Sequence, residues 1–189
     1  MKRIDCFVPF VSEEQVAVTA ANLRGEYEIA TVEFIDAATF KSTASVRKIA
    51  QTAAAPFTMI YTKTTELSFG QFALERFLAI AEDSSAAMVY ADHFKELDGD
   101  RAFAPVIDCQ KGALRDDFDF GSVLIYRTSA LKEAVDRMNV DYEYAGLYDL
   151  RLKVSQKGSL VHINEYLYYE VETDTRKSGE KLFDYVDPR

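Results

Sequence analysis

The chain predicts an α/β domain with a largely parallel sheet and helices on its faces, and two observations carry that expectation. From Ile4 to Asp92, short apolar runs alternate with amphipathic stretches in the order β-α-β-α-β-α-β. This is the grammar of parallel strands joined by helical crossovers. The apolar run over 86–91 then stops at a carboxylate, Asp92. In open α/β sheets, ligands bind in the crevice beyond the carboxyl ends of the strands.

Each element has its own signal. Ile4–Phe10 reads as the first strand. Ser12, with Gln15 three residues later, forms a capping box that opens a helix. Val16, Ala20 and Leu23 give this helix an apolar stripe, and Gly25 closes it. A second strand covers 29–35 and closes at Asp36. Val46, Ile49, Ala50 and Ala53 mark a helix over 45–54, and Phe57–Tyr61 is a third strand. Ser68 with Gln71 makes a second capping box, opening a helix with Phe69, Phe72, Ala73, Phe77, Ile80 and Ala81 on one side. The strand ending at Asp92 follows.

Beyond Asp92 the pattern changes. The stretch 95–115 is polar and turn-rich, interrupted by Gly99, Pro105 and Gly112. A strand over 122–127 runs into a helix over 128–138, and another helix over 146–156 stops at Gly158. Two short strands, 160–163 and 167–171, come next, and 172–189 is charged and nearly patternless. No repeat or boundary divides the chain, so one domain over 1–189 is expected. Its ending, Asp184-Tyr185-Val186-Asp187-Pro188-Arg189, has neither a helix stop nor tail composition and reads as continuing in the native protein.

Composition bounds the function classes. Hydrophobic residues make up 48% and charged residues 28%, a globular balance. A net charge of −9 weighs against a general grip on nucleic acid or anionic lipid. A phosphate ligand is still allowed, because one metal ion or two local cations reverse the field inside a site. No apolar stretch approaches the roughly 20 residues of a membrane span. Asp5 and Pro9 interrupt any signal-peptide core after Lys2 and Arg3, so a cytoplasmic location is expected. Cys6, Cys109, His93 and His162 offer no disulfide framework and no zinc-ligand spacing. Gly-x-Gly-x-x-Gly, Walker and Gly-x-Ser-x-Gly motifs are all missing.

Four places carry candidate chemistry. Asp92 is a hard oxygen ligand at a strand end, suited to a divalent metal that bridges a diphosphate, and His93 adds a donor acceptable to Mn²⁺. The competing reading has Asp92 capping a loop and His93 facing solvent. Asp149 lies off the Leu147, Leu150 and Val154 stripe. It is either a general base for an acceptor hydroxyl or a carboxylate stabilising the first turn of its helix. Arg176-Lys177-Ser178-Gly179 is either a phosphate clasp or a surface loop. Arg115-Asp116-Asp117-Phe118-Asp119-Phe120 interleaves acids and aromatics, a composition for lining a sugar site or for a loop that tucks phenylalanines into the core.

The order of these features resembles the family 2 glycosyltransferases, inverting enzymes of the GT-A fold. Tyr90-Ala91-Asp92 looks like their strand-end acidic motif, Tyr148-Asp149-Leu150-Arg151-Leu152 like their later acidic motif, and the stretch 161–168 like the strand and turn that follow. The resemblance spans about Ile4 to Gly179. It implies a GT-A-like, three-layer α/β/α fold with a mostly parallel mixed sheet, and transfer from a nucleoside-diphosphate sugar to a glycan or other hydroxyl acceptor. It also implies Mn²⁺ or Mg²⁺ at Asp92, acceptor deprotonation by Asp149, and nucleobase and ribose contacts at Pro9, Phe10 and Asp36. Arg176 or Lys177 would share the diphosphate charge from a closing loop. The expected location is cytoplasmic, or peripheral to the inner face of a membrane.

The chain departs from the family pattern at three points. His93-Phe94 replaces the second acid, Tyr148 replaces the glutamate of the later motif, and Asp36-Ala37-Ala38-Thr39 replaces an Asp-Gly-Ser loop. A catalytically inactive GT-A-like module that binds a nucleotide or glycan, or docks a neighbour, is the alternative. A sugar-phosphate nucleotidyltransferase would need a Gly-rich, Arg-bearing loop after the first strand, and Pro9-Phe10-Val11-Ser12 is unlike one.

Overall fold

The alternation read from the first half is present in a computed structural model of the chain, which describes residues 2–97, 100–110 and 118–171. The elements are β1 (Ile4–Phe10), α1 (Glu13–Gly25), β2 (Ile29–Asp36), α2 (Thr43–Thr52), β3 (Phe57–Tyr61), β4 (Leu67–Phe69) and α3 (Ala73–Asp83). They continue with β5 (Met88–Leu97), β6 (Asp100–Ala104), β7 (Val123–Arg127), α4 (Thr128–Val135), α5 (Gly146–Ser155) and β8 (Leu160–Val171). One mixed sheet runs in the order β2-β1-β3-β7-β5-β8-β4, with β6 paired to β5. The pairs β1–β2, β1–β3 and β5–β8 are parallel, whereas β7 lies antiparallel between β3 and β5.

Strand alternation sorts the core into two layers. Ile4, Cys6 and Val8 of β1 face one side, where they meet Leu23 of α1 and Leu74, Phe77 and Leu78 of α3. Phe7 faces the other side with Ile49 of α2, Leu131 of α4 and Leu150 of α5. Burial pushes the Cys6 thiol far above its usual range, so it is an inert core group. The buried Asp5 carboxylate accepts the Ala54 and Ala55 N–H groups, both at 2.7 Å, and the Thr31 hydroxyl at 2.7 Å. It thereby ties β1 to β2 and to the end of α2. Among the described residues no helix is long and apolar enough to cross a membrane.

Three local expectations are corrected. Ser68 does not open a helix: it lies in β4, paired to β8, and α3 starts at Ala73 after Phe72, which is left-handed (φ 59°) and 66% exposed. Sheet pairing has overridden the capping pattern. The strand carrying Asp92 does not end there but runs on to Leu97 and turns back as β6. Finally, the two short C-terminal strands are one, β8, whose register slips beside Asp92.

Candidate functional site

The site begins at a fork in the sheet. While β8 holds one edge of β5 from Met88 to Glu96, the other edge changes partner. It pairs with β7 at Met88 and Val89, then with β6 from His93 onward. A cleft of about 490 Å³ lies where β5 and β7 part. Thr62 and Lys63 after β3, His93 and Lys95 on β5, Ser122 before β7 and Glu170 on β8 line its sheet side. Lys41, Asp119, Tyr148 and Arg151 add to its lining. This is the carboxyl edge of the parallel strands, where ligands are held in such folds.

Aromatic and ionic contacts fix the cleft floor. His93 stacks on Tyr168, with ring centroids 4.9 Å apart and planes within 4°. The Tyr168 hydroxyl accepts the Ser122 N–H at 2.9 Å. Buried Glu170 pairs with Lys63. His93 Nε2 lies 3.9 Å from Glu170 Oε2, and neither His93 Nδ1 nor Glu170 Oε2 has a hydrogen-bond partner among the described residues. Gly121 sits beside this group in the left-handed region (φ 73°), where a Cβ would collide with the Tyr168 hydroxyl.

Burial holds the His93 imidazole below its ordinary range, with the Glu170 carboxylate opposing. The unfolded chain takes up its histidine proton near pH 6.5, and the folded chain takes up the His93 proton only at lower pH. Stability should therefore be fullest above that value and weaken as pH falls below it. Urea midpoints measured from pH 7.5 downward test this: His93→Gln should flatten the slope, and an unchanged slope would contradict the linkage.

Charge in the cleft opposes that of the whole molecule. Lys41, Lys63, Lys95 and Arg151 face two carboxylates, Asp119 and Glu170, in a chain of net charge −9. The Arg151 guanidinium lies over the Phe120 ring, 5.4 Å from its centroid, and its Nε is buried without an acceptor. Asp119 is exposed at the mouth, and its Oδ1 accepts the Gly121 N–H at 2.7 Å. The residue before α5, Ala145, supplies no side-chain cap, and Ala145, Leu147 and Tyr148 border the cleft. The positive end of that helix therefore adds to the field.

The residues singled out in the sequence are not all brought together here. Asp92 and His93 are adjacent on a strand and so face opposite ways. His93 lines the cleft, but Asp92 does not. The Asp92 carboxylate is 1% exposed and accepts the Val106 N–H at 2.8 Å. The same oxygen lies 2.9 Å from His162 Nε2, and His162 Nδ1 lies 2.8 Å from Asp108. Tyr90 stacks on His162, donates its hydroxyl to the Ile107 carbonyl at 2.9 Å and accepts the Cys109 N–H at 2.7 Å, closing the segment 106–109 over Asp92.

Asp149 occupies the first turn of α5, 3.8 Å from Lys153, and does not line the cleft. Pro9, Phe10 and Asp36 meet at the ends of β1 and β2, where Phe10 pairs with Asp36. The Asp36 carboxylate accepts the Ala38 N–H at 2.9 Å, and none of the three lines the cleft. Arg176 and Lys177 lie outside the described residues, as do Arg115, Asp116 and Asp117.

Asp92 and His93 therefore do not form the shared ligand pair expected for Mn²⁺ or Mg²⁺. Among the described residues no three His, Cys, Asp or Glu side chains are grouped as a centre built from protein ligands alone would require. With Asp92 turned from the cleft, the expected pair does not fit a metal bridging a diphosphate there.

Lys41, Lys63 and Arg151 were missed as site residues in the sequence. Lys63 had a usable signal, standing two residues past the end of a strand. Arg151 had none, because helical spacing cannot reveal an absent ion-pair partner. Phe118, Asp119 and Phe120 were flagged, and all three border the cleft.

No family model matches the sequence, and no curated protein matches it significantly. Among solved structures, S. aureus TarS 1–349 matches with a TM-score of 0.62 at 10% identity, over 89% of this chain and 60% of that one. TarS 1–349 in complex with UDP-GlcNAc gives a TM-score of 0.58 at 10% identity, over 92% and 59% respectively. The complex with UDP gives 0.61 at 11% identity, over 92% and 61%. The chain thus spans about three fifths of those TarS chains. The likeness shows a glycosyltransferase-like fold, the mixed three-layer architecture expected above.

Proposed function

We propose that this chain is a glycosyltransferase domain, transferring a sugar from a nucleoside-diphosphate donor to an acceptor hydroxyl with inversion. The observation that carries the reading is the cation-lined cleft at the carboxyl edge of an acidic molecule. Solved neighbours of the same fold bind UDP-GlcNAc and UDP, which supports a donor of that class. In the proposed step the acceptor oxygen attacks the anomeric carbon from the face opposite the diphosphate. The bond from that carbon to the phosphate oxygen breaks, and its electron pair leaves with the nucleoside diphosphate. The acceptor proton passes to a carboxylate.

We assign that proton to Asp119 rather than Asp149. Asp119 opens onto the cleft between Phe118 and Phe120, and the Gly121 N–H orients it. The position of Asp149 beside Lys153 supports the helix-stabilising role already open to it in the sequence. Loss of a positioned general base lowers turnover by about 10²–10⁴-fold. Release of nucleoside diphosphate from a panel of sugar nucleotides should therefore collapse in Asp119→Asn and persist in Asp149→Asn. The reverse order would reinstate Asp149. Binding of a donor by the wild type with no turnover would favour the inactive-module alternative, for which His93-Phe94 in place of the second acid is the supporting feature.

A further inference from the structure

We propose that this cleft neutralises a nucleoside diphosphate with its own cations, chiefly Arg151 and Lys41, and does so without a divalent metal. The inference rests on the glycosyltransferase reading and specifies how its donor is held. The mismatch between the expected metal ligands and their observed places motivates it. The Asp92 carboxylate is buried under the segment 106–109, bonded to Val106 and His162, and turned from the cleft.

Arg151 supplies the positive argument. No carboxylate pairs with its guanidinium among the described residues, its Nε is buried with no acceptor, and it lies over the face of Phe120. The buried Nε–H has given up water without gaining an acceptor, a cost that an anionic ligand relieves. The planar fork of guanidinium donors matches phosphate oxygens in bidentate fashion.

Lys41 lines the same cleft. Its carbonyl accepts the Gly146 N–H at 2.8 Å, which fixes the loop carrying it to the start of α5. Lys41 also forms no ion pair with any described residue. Lys63 differs, because Glu170 already balances its charge. Glu170 Oε2 and His93 Nδ1, buried with no hydrogen bond among the described residues, mark the floor as built for a polar ligand: Oε2 suits a hydroxyl of the attached sugar, and a neutral imidazole takes either hydrogen-bonding role.

Calorimetric titration with UDP, in EDTA and separately in Mn²⁺, tests the proposal on the full chain. Wild-type affinity should agree within about threefold between the two conditions. In EDTA, Arg151→Met should weaken UDP binding at least tenfold and Lys41→Met severalfold, while Asp92→Asn should leave it near wild type. Circular dichroism of each variant establishes that it is folded. Lys41, being exposed, provides the decisive variant should Arg151→Met not fold. Binding that requires Mn²⁺, or that survives both cation replacements undiminished, overturns this inference and leaves the glycosyltransferase reading standing. Failure of the wild type to bind UDP under either condition overturns both.

Discussion

Asp92→Ala should lower the unfolding free energy by about 1–3 kcal/mol, the cost of leaving a buried donor without its acceptor. The carboxylate is 1% exposed and serves two donors at once, the Val106 N–H and His162. Alanine leaves the Val106 N–H without its acceptor. It also removes one of the two carboxylates that hold His162, leaving the exposed Asp108 on the other ring nitrogen. Asp92→Asn keeps an acceptor oxygen for Val106 and should cost less. Urea unfolding of the ligand-free protein measures the difference. A carboxylate kept only for a metal would leave the urea midpoint of the alanine variant unchanged, and that outcome would contradict the structural role assigned here.

Gly121→Ala is the second large effect, with an expected loss of about 2–4 kcal/mol. Holding alanine in the left-handed region costs roughly 1–2 kcal/mol. Displacing the buried Tyr168 hydroxyl from the Ser122 N–H adds about 1–3 kcal/mol. The stiffer unfolded chain returns only about 0.4–1 kcal/mol, so destabilisation wins. Tyr168 also carries the His93 ring, and the damage should extend to the cleft floor. The readout is the urea midpoint, with a wild-type value contradicting the tight approach of Gly121 to Tyr168.

Most of the fold was legible because local and global signals agree over the first half. Ser12 caps α1 through the Gln15 N–H at 3.3 Å, and the apolar runs of β1 and β3 coincide with the observed strands. The misreadings fall where long-range pairing decides. Ser68 obeys β8 rather than its own capping pattern. The β5–β6 hairpin was hidden because its polar residues read as loop, although Asp98-Gly99 between the strands is a turn signal.

The candidate site was legible only in part. Sequence position marked the right edge of the sheet, and composition marked Phe118-Asp119-Phe120. Strand alternation alone puts Asp92 and His93 on opposite faces once the strand continues past Asp92, and Asp98-Gly99 is the one signal that it does. Charge pairing is a property of space rather than of spacing, which is why Arg151 and Lys41 emerged only from the structure.

In the proposed function the cleft between β5 and β7 receives the diphosphate of the donor. A co-crystal structure with UDP measures this most directly. It should show phosphate oxygens within hydrogen-bond distance of the Arg151 guanidinium and the Lys41 ammonium, with Asp92 still bonded to Val106 and His162. UDP seated outside this cleft, or a diphosphate reached through a metal on Asp92, would contradict it.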